Sequence, residues 1–171
     1  LQEIRGFSLI EAGGIISLNT FTGILGCVAF GFISDKYFKA RRPPVTLMFG
    51  IVEIVSLVVI FFGPNSTIVL TIAFLVYGFT LSGLLAVLGG LFALDIAPKN
   101  ISGAAMGFIG LFSYIGAGIQ EKISSLLIKT STLETSSDLV YNFDSAILFW
   151  VVASVISFLL SLTLWNKKIE D

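Results

Sequence analysis

A chain of 171 residues that is 56% hydrophobic and 12% charged, with a mean hydropathy of +0.98, is too apolar for a water-soluble domain. It has no His and a single Cys, Cys27, inside an apolar run. No nucleophile–base pair or metal-ligand set can be assembled from such a chain, so neither an enzyme nor a cofactor or metal is expected. The net charge of −1 carries no nucleic-acid signal.

Apolar runs of about 20 residues recur, the length at which a helix crosses a bilayer. Lipid cannot satisfy loose backbone groups, so such runs must be helical. The short alternating segments of a membrane β-barrel are missing. The expected fold is all-α: a polytopic membrane protein with five transmembrane helices.

The opening, Leu1 to Ser8, lacks a basic start and a cleavage pattern. It reads as a loop entered from upstream, in a C-terminal fragment of a longer protein. The first span is expected at about 9–34, where Ser8 and Glu11 form a capping box. The second, about 44–62, is entered by Pro43-Pro44 and closed by Gly63-Pro64-Asn65-Ser66. That short turn makes spans two and three antiparallel neighbours. The third is expected at about 67–95, broken by Ala97-Pro98-Lys99-Asn100. The fourth covers about 101–128, and a polar loop, 129–142, follows. The fifth covers about 144–165, with Trp165 as an interfacial anchor before Lys167 and Lys168.

Basic residues set the orientation. One side gathers Lys36, Lys39, Arg41, Arg42, Lys99, Lys167 and Lys168, against Arg5 and Lys129 on the other. The richer side is expected to be cytoplasmic, with the C-terminus inside. On that side Asp35 ends span one, where the helix dipole disfavours an acid. Lys36, Lys39, Arg41 and Arg42 lie within reach, and Asp95 ends span three on the same face. A cross-helix pair between Asp95 and Arg41 or Arg42 is expected, either as a conformational latch or in a solvated loop that only sets topology.

Gly31-Phe-Ile-Ser-Asp35-Lys-Tyr-Phe-Lys-Ala-Arg41-Arg42 resembles the charged loop of the major facilitator superfamily. The run from Asp95-Ile-Ala-Pro-Lys-Asn through Gly103, Gly107 and Gly110 to Tyr114 is similar to the junction of helices ten and eleven in organophosphate:phosphate antiporters, the glycerol-phosphate and hexose-phosphate carriers. The resemblance covers nearly the whole chain and implies helices 8–12 of a major facilitator fold. It implies a multi-pass protein of the inner or plasma membrane that exchanges a small phosphorylated sugar for inorganic phosphate by alternating access. Its partners would be the bilayer and the N-terminal half of the same chain. A sugar-phosphate sensor and a glycerol-3-phosphate carrier are the alternatives. Phe92 stands where the glycerol-phosphate carriers have a His, which leans toward a sugar phosphate. The family's phosphate-clamping arginines belong to helices one and seven, outside this chain, and Arg5 lies in a loop.

Several residues inside the spans are candidates for chemistry. Gly103, Gly107, Gly110, Tyr114, Ala117 and Glu121 share one face of span four, a tight packing seam that is either static or sliding. Glu121 and Lys122 lie in its outer third, where Lys122 either attracts a phosphate or snorkels to the interface. Some hexose-phosphate carriers have an acid one turn before the matching lysine, and here that position is Gly118. Glu53, near the centre of span two, is either a proton-coupling acid or a hydrogen-bonded structural one. Asn19 faces either substrate or a neighbouring helix. The tentative substrate-binding set is therefore Lys122, Asn19 and Glu121, and the cytoplasmic gate is Asp35, Arg41, Arg42 and Asp95.

Overall fold

The structure is a computed structural model, described here for residues 5–132, 139–163 and 165. Helix α1 (Leu9–Phe38) starts on the capping box that the sequence predicts. The Ser8 Oγ accepts from the Glu11 amide at 3.3 Å, and the Glu11 carboxylate accepts from the Ser8 amide at 3.0 Å. The helix runs past the expected end at Ser34, so Asp35 and Lys36 occupy its last turn. It stops at Lys39 and Ala40, both left-handed with φ of 52° and 62°. The Ala40 amide turns back to the Ser34 carbonyl at 3.0 Å.

Helix α2 (Arg42–Phe62) starts two residues earlier than expected, with Arg42 inside it. Proline is tolerated in a first turn, where its missing N–H has no partner to lose. Helix α3 (Thr67–Ala86) continues through a π-helical turn, Val87–Leu91, into the short α4 (Phe92–Ile96). The Gly89-Gly90 pair falls in that turn and loosens the ladder where the sequence reading has one straight span. Helix α5 (Ser102–Leu127) is followed by β1 (Lys129–Thr132) and β2 (Leu139–Asn142), and α6 (Asp144–Leu162) closes the described fold. The strands pair antiparallel, with Lys129 opposite Asn142 and Thr132 opposite Leu139. Thr, Val and Tyr favour such pairing, so the polar loop adds a short strand pair to an otherwise helical chain. Five helical stretches, Leu9–Phe38, Arg42–Phe62, Thr67–Asp95, Ser102–Leu127 and Asp144–Leu162, are long and apolar enough to cross a membrane. Trp165 sits just beyond the last of them; Lys167 and Lys168 lie outside the described residues.

Helices α1 and α3 cross closely, and glycine is the reason. A Cβ on Gly26 would collide with the Phe79 carbonyl, and one on Gly78 would collide with the backbone and side chain of Asn19. Where lipid supplies no hydrophobic drive, such approach lets dispersion and polar bonds hold helices together. The Thr22 hydroxyl donates to the Leu75 carbonyl at 3.0 Å across this crossing. Nearer the Arg42 end, Phe30, Val45, Phe49 and Val87 form a buried cluster joining α1, α2 and the π-turn. Phe30 meets Phe49 edge-on with ring centroids 5.0 Å apart, and Phe79 stacks on Phe49 at 5.7 Å.

The expected seam on the fourth span is different. Nothing lies within contact distance of a Cβ built at Gly103, Gly107 or Gly110, and Tyr114 is 83% exposed. Among the described residues the tight glycine contact belongs to α1 and α3, not to α5. Periodicity marks a face of small residues but carries no information on what that face meets.

Candidate functional site

Three helix ends meet at Arg42. Its Nη1 donates to Asp35 Oδ1 at 2.7 Å, and its Nε donates to Asp95 Oδ2 at 3.0 Å. The Arg42 side chain is 10% exposed, Asp95 23% and Asp35 62%. Each charge alone is badly placed. Asp35 faces the partial negative charge at the end of α1, and Arg42 faces the partial positive charge at the start of α2. Bridging cancels both penalties and satisfies a guanidinium that is nearly out of water. The Thr46 hydroxyl, one turn into α2, donates to the Arg42 carbonyl at 3.0 Å.

Of the two arginines expected as partners of Asp95, only Arg42 takes the role. Arg41 donates instead from Nη2 to the Trp165 carbonyl at 3.2 Å, tying the loop to the chain beyond α6. Lys36 does not engage Asp35: its Nζ sits 5.0 Å from the Phe32 ring centre. A helix turn explains this, because adjacent residues point about 100° apart.

The candidates deeper in the spans do not converge with this cluster. Asn19 donates from Nδ2 to the Phe74 carbonyl at 2.9 Å, a bond to the neighbouring helix α3. Glu53 is buried, and the Ser154 hydroxyl donates to its Oε1 at 3.3 Å, linking α2 to α6. Glu121 and Lys122 are both exposed and turn apart. Glu121 lines a crevice between α5 and α6 together with Gln120, Ser124, Tyr141 and Trp150, whereas Lys122 does not. Among the described residues, no three His, Cys, Asp or Glu side chains converge as metal ligands.

Arg5 is the contact that sequence reasoning misses. Its Nη2 donates to the carbonyls of Ile60 and Phe61, both at 2.8 Å, and Nη1 reaches the Gly63 carbonyl at 3.3 Å. The guanidinium thus caps the C-terminus of α2, where a cation is favoured. A lone base just before the first span, facing an apolar turn rich in free carbonyls, is the signal that points to it. Arg42 and Arg5 therefore hold opposite ends of the same helix.

A bundle of membrane-length helices, clamped at one end by an acid–arginine–acid bridge, defines a polytopic helical membrane protein with a built charged cluster. The profile of the Major Facilitator Superfamily matches residues 1–120, and the chain belongs to that superfamily. Within it, the chain is similar to transporters of glycerol 3-phosphate and hexose phosphate and to a membrane sensor protein. It is 36% identical over 117 residues to the glycerol-3-phosphate transporter of Bacillus subtilis, which covers 68% of this chain and 26% of that protein. It is 32% identical over 120 residues to the membrane sensor protein UhpC of Salmonella typhimurium, covering 70% and 27%. A probable hexose phosphate transport protein of Chlamydia trachomatis is 32% identical over 120 residues, covering 68% and 26%. The chain spans about a quarter of the length of these curated relatives. No solved structure matches it significantly.

Proposed function

We propose that the protein moves small organophosphates across the cell membrane, with hexose phosphate leaving or entering in exchange for inorganic phosphate. Its five spans correspond in this reading to helices 8–12 of the facilitator fold. The basic end, with Arg42, faces the cytoplasm, as does the C-terminus. The remaining helices of the same chain complete the pocket, and the two halves rock around a site near mid-membrane.

The observation that carries the reading is the bridge from Asp35 through Arg42 to Asp95. A charged bond that joins three helix ends on one membrane face is stable when those ends are together and must break when they part. It therefore acts as the cytoplasmic latch, closed when the carrier opens outward. Arg41 steadies the same face through Trp165. Lys122 is the substrate-facing charge, exposed on α5 and unengaged by the α5–α6 crevice. Asn19 is engaged by the Phe74 carbonyl, and Glu121, a carboxylate that repels phosphate, lines the α5–α6 crevice, so neither takes part in it.

The test is exchange by the full-length protein in liposomes loaded with phosphate. Uptake of labelled glucose 6-phosphate that stops when internal phosphate is omitted supports the proposal. A second reading, a membrane sensor, draws on the likeness to UhpC. Saturable binding of glucose 6-phosphate without exchange selects the sensor. Exchange of glycerol 3-phosphate about tenfold faster than glucose 6-phosphate, a difference of about 1.4 kcal/mol in barrier, selects a glycerol-phosphate carrier.

A further inference from the structure

The crevice between α5 and α6 has a volume of about 500 Å³ and a chemistry of its own. Two aromatic side chains, Trp150 and Tyr141, and one carboxylate, Glu121, line it, and among the described residues no basic side chain does. Its wall is built. The Trp150 indole N–H donates to Ser124 Oγ at 2.8 Å, and Gln120 Nε2 donates to the same oxygen at 3.3 Å. Ser124 is the buried residue of α5, so the indole is tied to a fixed point on that helix. Phe61 of α2 braces that ring, with centroids 5.7 Å apart.

The depth of the crevice in the bilayer follows from helix geometry. Helix α5 has 26 residues, about 39 Å at 1.5 Å per residue. It therefore overhangs a hydrocarbon core of about 30 Å by some 4–5 Å at each end. Glu121, six residues before Leu127, lies about 9 Å from the helix end. That places its carboxylate just beneath the boundary between acyl chains and head groups. Trp150 lies equally far into α6 from Asp144, at the level where Trp and Tyr anchor to the interface.

A carboxylate that shares a crevice with two aromatic rings attracts a cation and repels a phosphate. At this depth the cation on offer is the one that phospholipids carry. We infer that the Glu121–Trp150–Tyr141 crevice binds the ammonium group of an aminophospholipid in the leaflet opposite the Arg42 cluster. The carboxylate supplies the charge, and the two rings supply the quadrupole faces that replace part of the ammonium's water. This assignment does not depend on what the protein transports.

The experiment is native mass spectrometry of the full-length protein titrated with phosphatidylethanolamine or phosphatidylglycerol. The wild type should bind the ethanolamine lipid about fivefold more tightly. Glu121→Gln should bring the two lipids within about twofold of each other, at an unchanged melting temperature. Tyr141→Leu, on the exposed rim, should lower the preference without removing it and serves as the second variant. Equal binding of both lipids by the wild type would overturn the inference, as would a preference that survives Glu121→Gln. Soluble phosphoethanolamine that displaces the lipid at equal concentration would also overturn it, by making a free amine the ligand.

Discussion

The Nε of Arg42 donates to Oδ2 of Asp95 across 3.0 Å, joining the first turn of α2 to the short helix that ends the third span. Asp35, at the other end of the guanidinium, is far more open to water. The two acids are therefore unequal partners. Desolvated charge pairs are costly to break on one side only, whereas exposed ones contribute little.

Asp95→Asn keeps the shape and removes the charge, leaving Arg42 buried with one exposed partner. The expected cost is about 2 kcal/mol, below the usual figure for a fully buried pair because Asp95 retains some water. Asp35→Asn should cost under about 1 kcal/mol. Thermal unfolding of the full-length protein in detergent gives the order. A larger loss for Asp35→Asn would contradict the inequality. In the latch reading, Asp95→Asn also raises labelling of an engineered Cys at position 98 by a membrane-impermeant reagent from the cytoplasmic side.

Gly26→Ala places a methyl against the Phe79 backbone, which cannot move aside as a side chain can. A loss of about 1–3 kcal/mol is expected from overpacking. Gly107→Ala meets nothing within the described chain, and its alanine gains helix propensity, so it should be neutral or stabilising by up to about 1 kcal/mol. The pair separates a true crossing from a mere stripe of small residues. Detergent melting curves that fall equally for both would show that α5 is packed as tightly in the whole protein as α1 is here.

Ala40 holds a left-handed conformation without being glycine. Such a conformation costs an L-residue about 1–2 kcal/mol. Ala40→Gly removes that strain and adds backbone freedom to the unfolded chain, so a net gain of about 0.5–1 kcal/mol is expected. A drop in melting temperature would mean that the Ala40 methyl makes a contact worth more than the strain.

Lys122→Gln distinguishes a substrate-facing charge from one that only anchors to the interface. Loss of one charge-assisted contact to phosphate should raise the KM for glucose 6-phosphate about tenfold or more, with Lys122→Arg recovering most of it. An anchoring lysine would leave KM unchanged in both variants.

Much of the local architecture was legible in the residues. Ser8 and Glu11 announced the start of α1, and Gly63-Pro64 announced the tight turn after α2. Other boundaries slipped for specific reasons. Arg42 joined α2 because proline is harmless in a first turn. The third span runs over 67–95 as the residues suggest, but it takes a π-helical turn at Val87–Leu91, where Gly89 and Gly90 weaken the ladder. The strand pair at 129–142 escaped notice because a polar run of Ser and Thr reads as loop until a second strand pairs with it.

Composition and periodicity settled how many segments are helical and apolar enough to enter a membrane, because solvation by lipid acts on each segment by itself. They also brought two acids and two arginines to one membrane face. Which arginine bridges those acids was decided only by the packed helices, since the choice between Arg41 and Arg42 depends on the direction each side chain leaves the first turn of α2. Tertiary structure likewise decided that, among the described residues, Gly26 and Gly78 rather than the glycines of α5 sit in a close crossing. It also decided that Asn19 is spent on the Phe74 carbonyl, and that Glu121 and Lys122 part company. A pattern along one helix records its faces, and only the neighbours determine what each face meets.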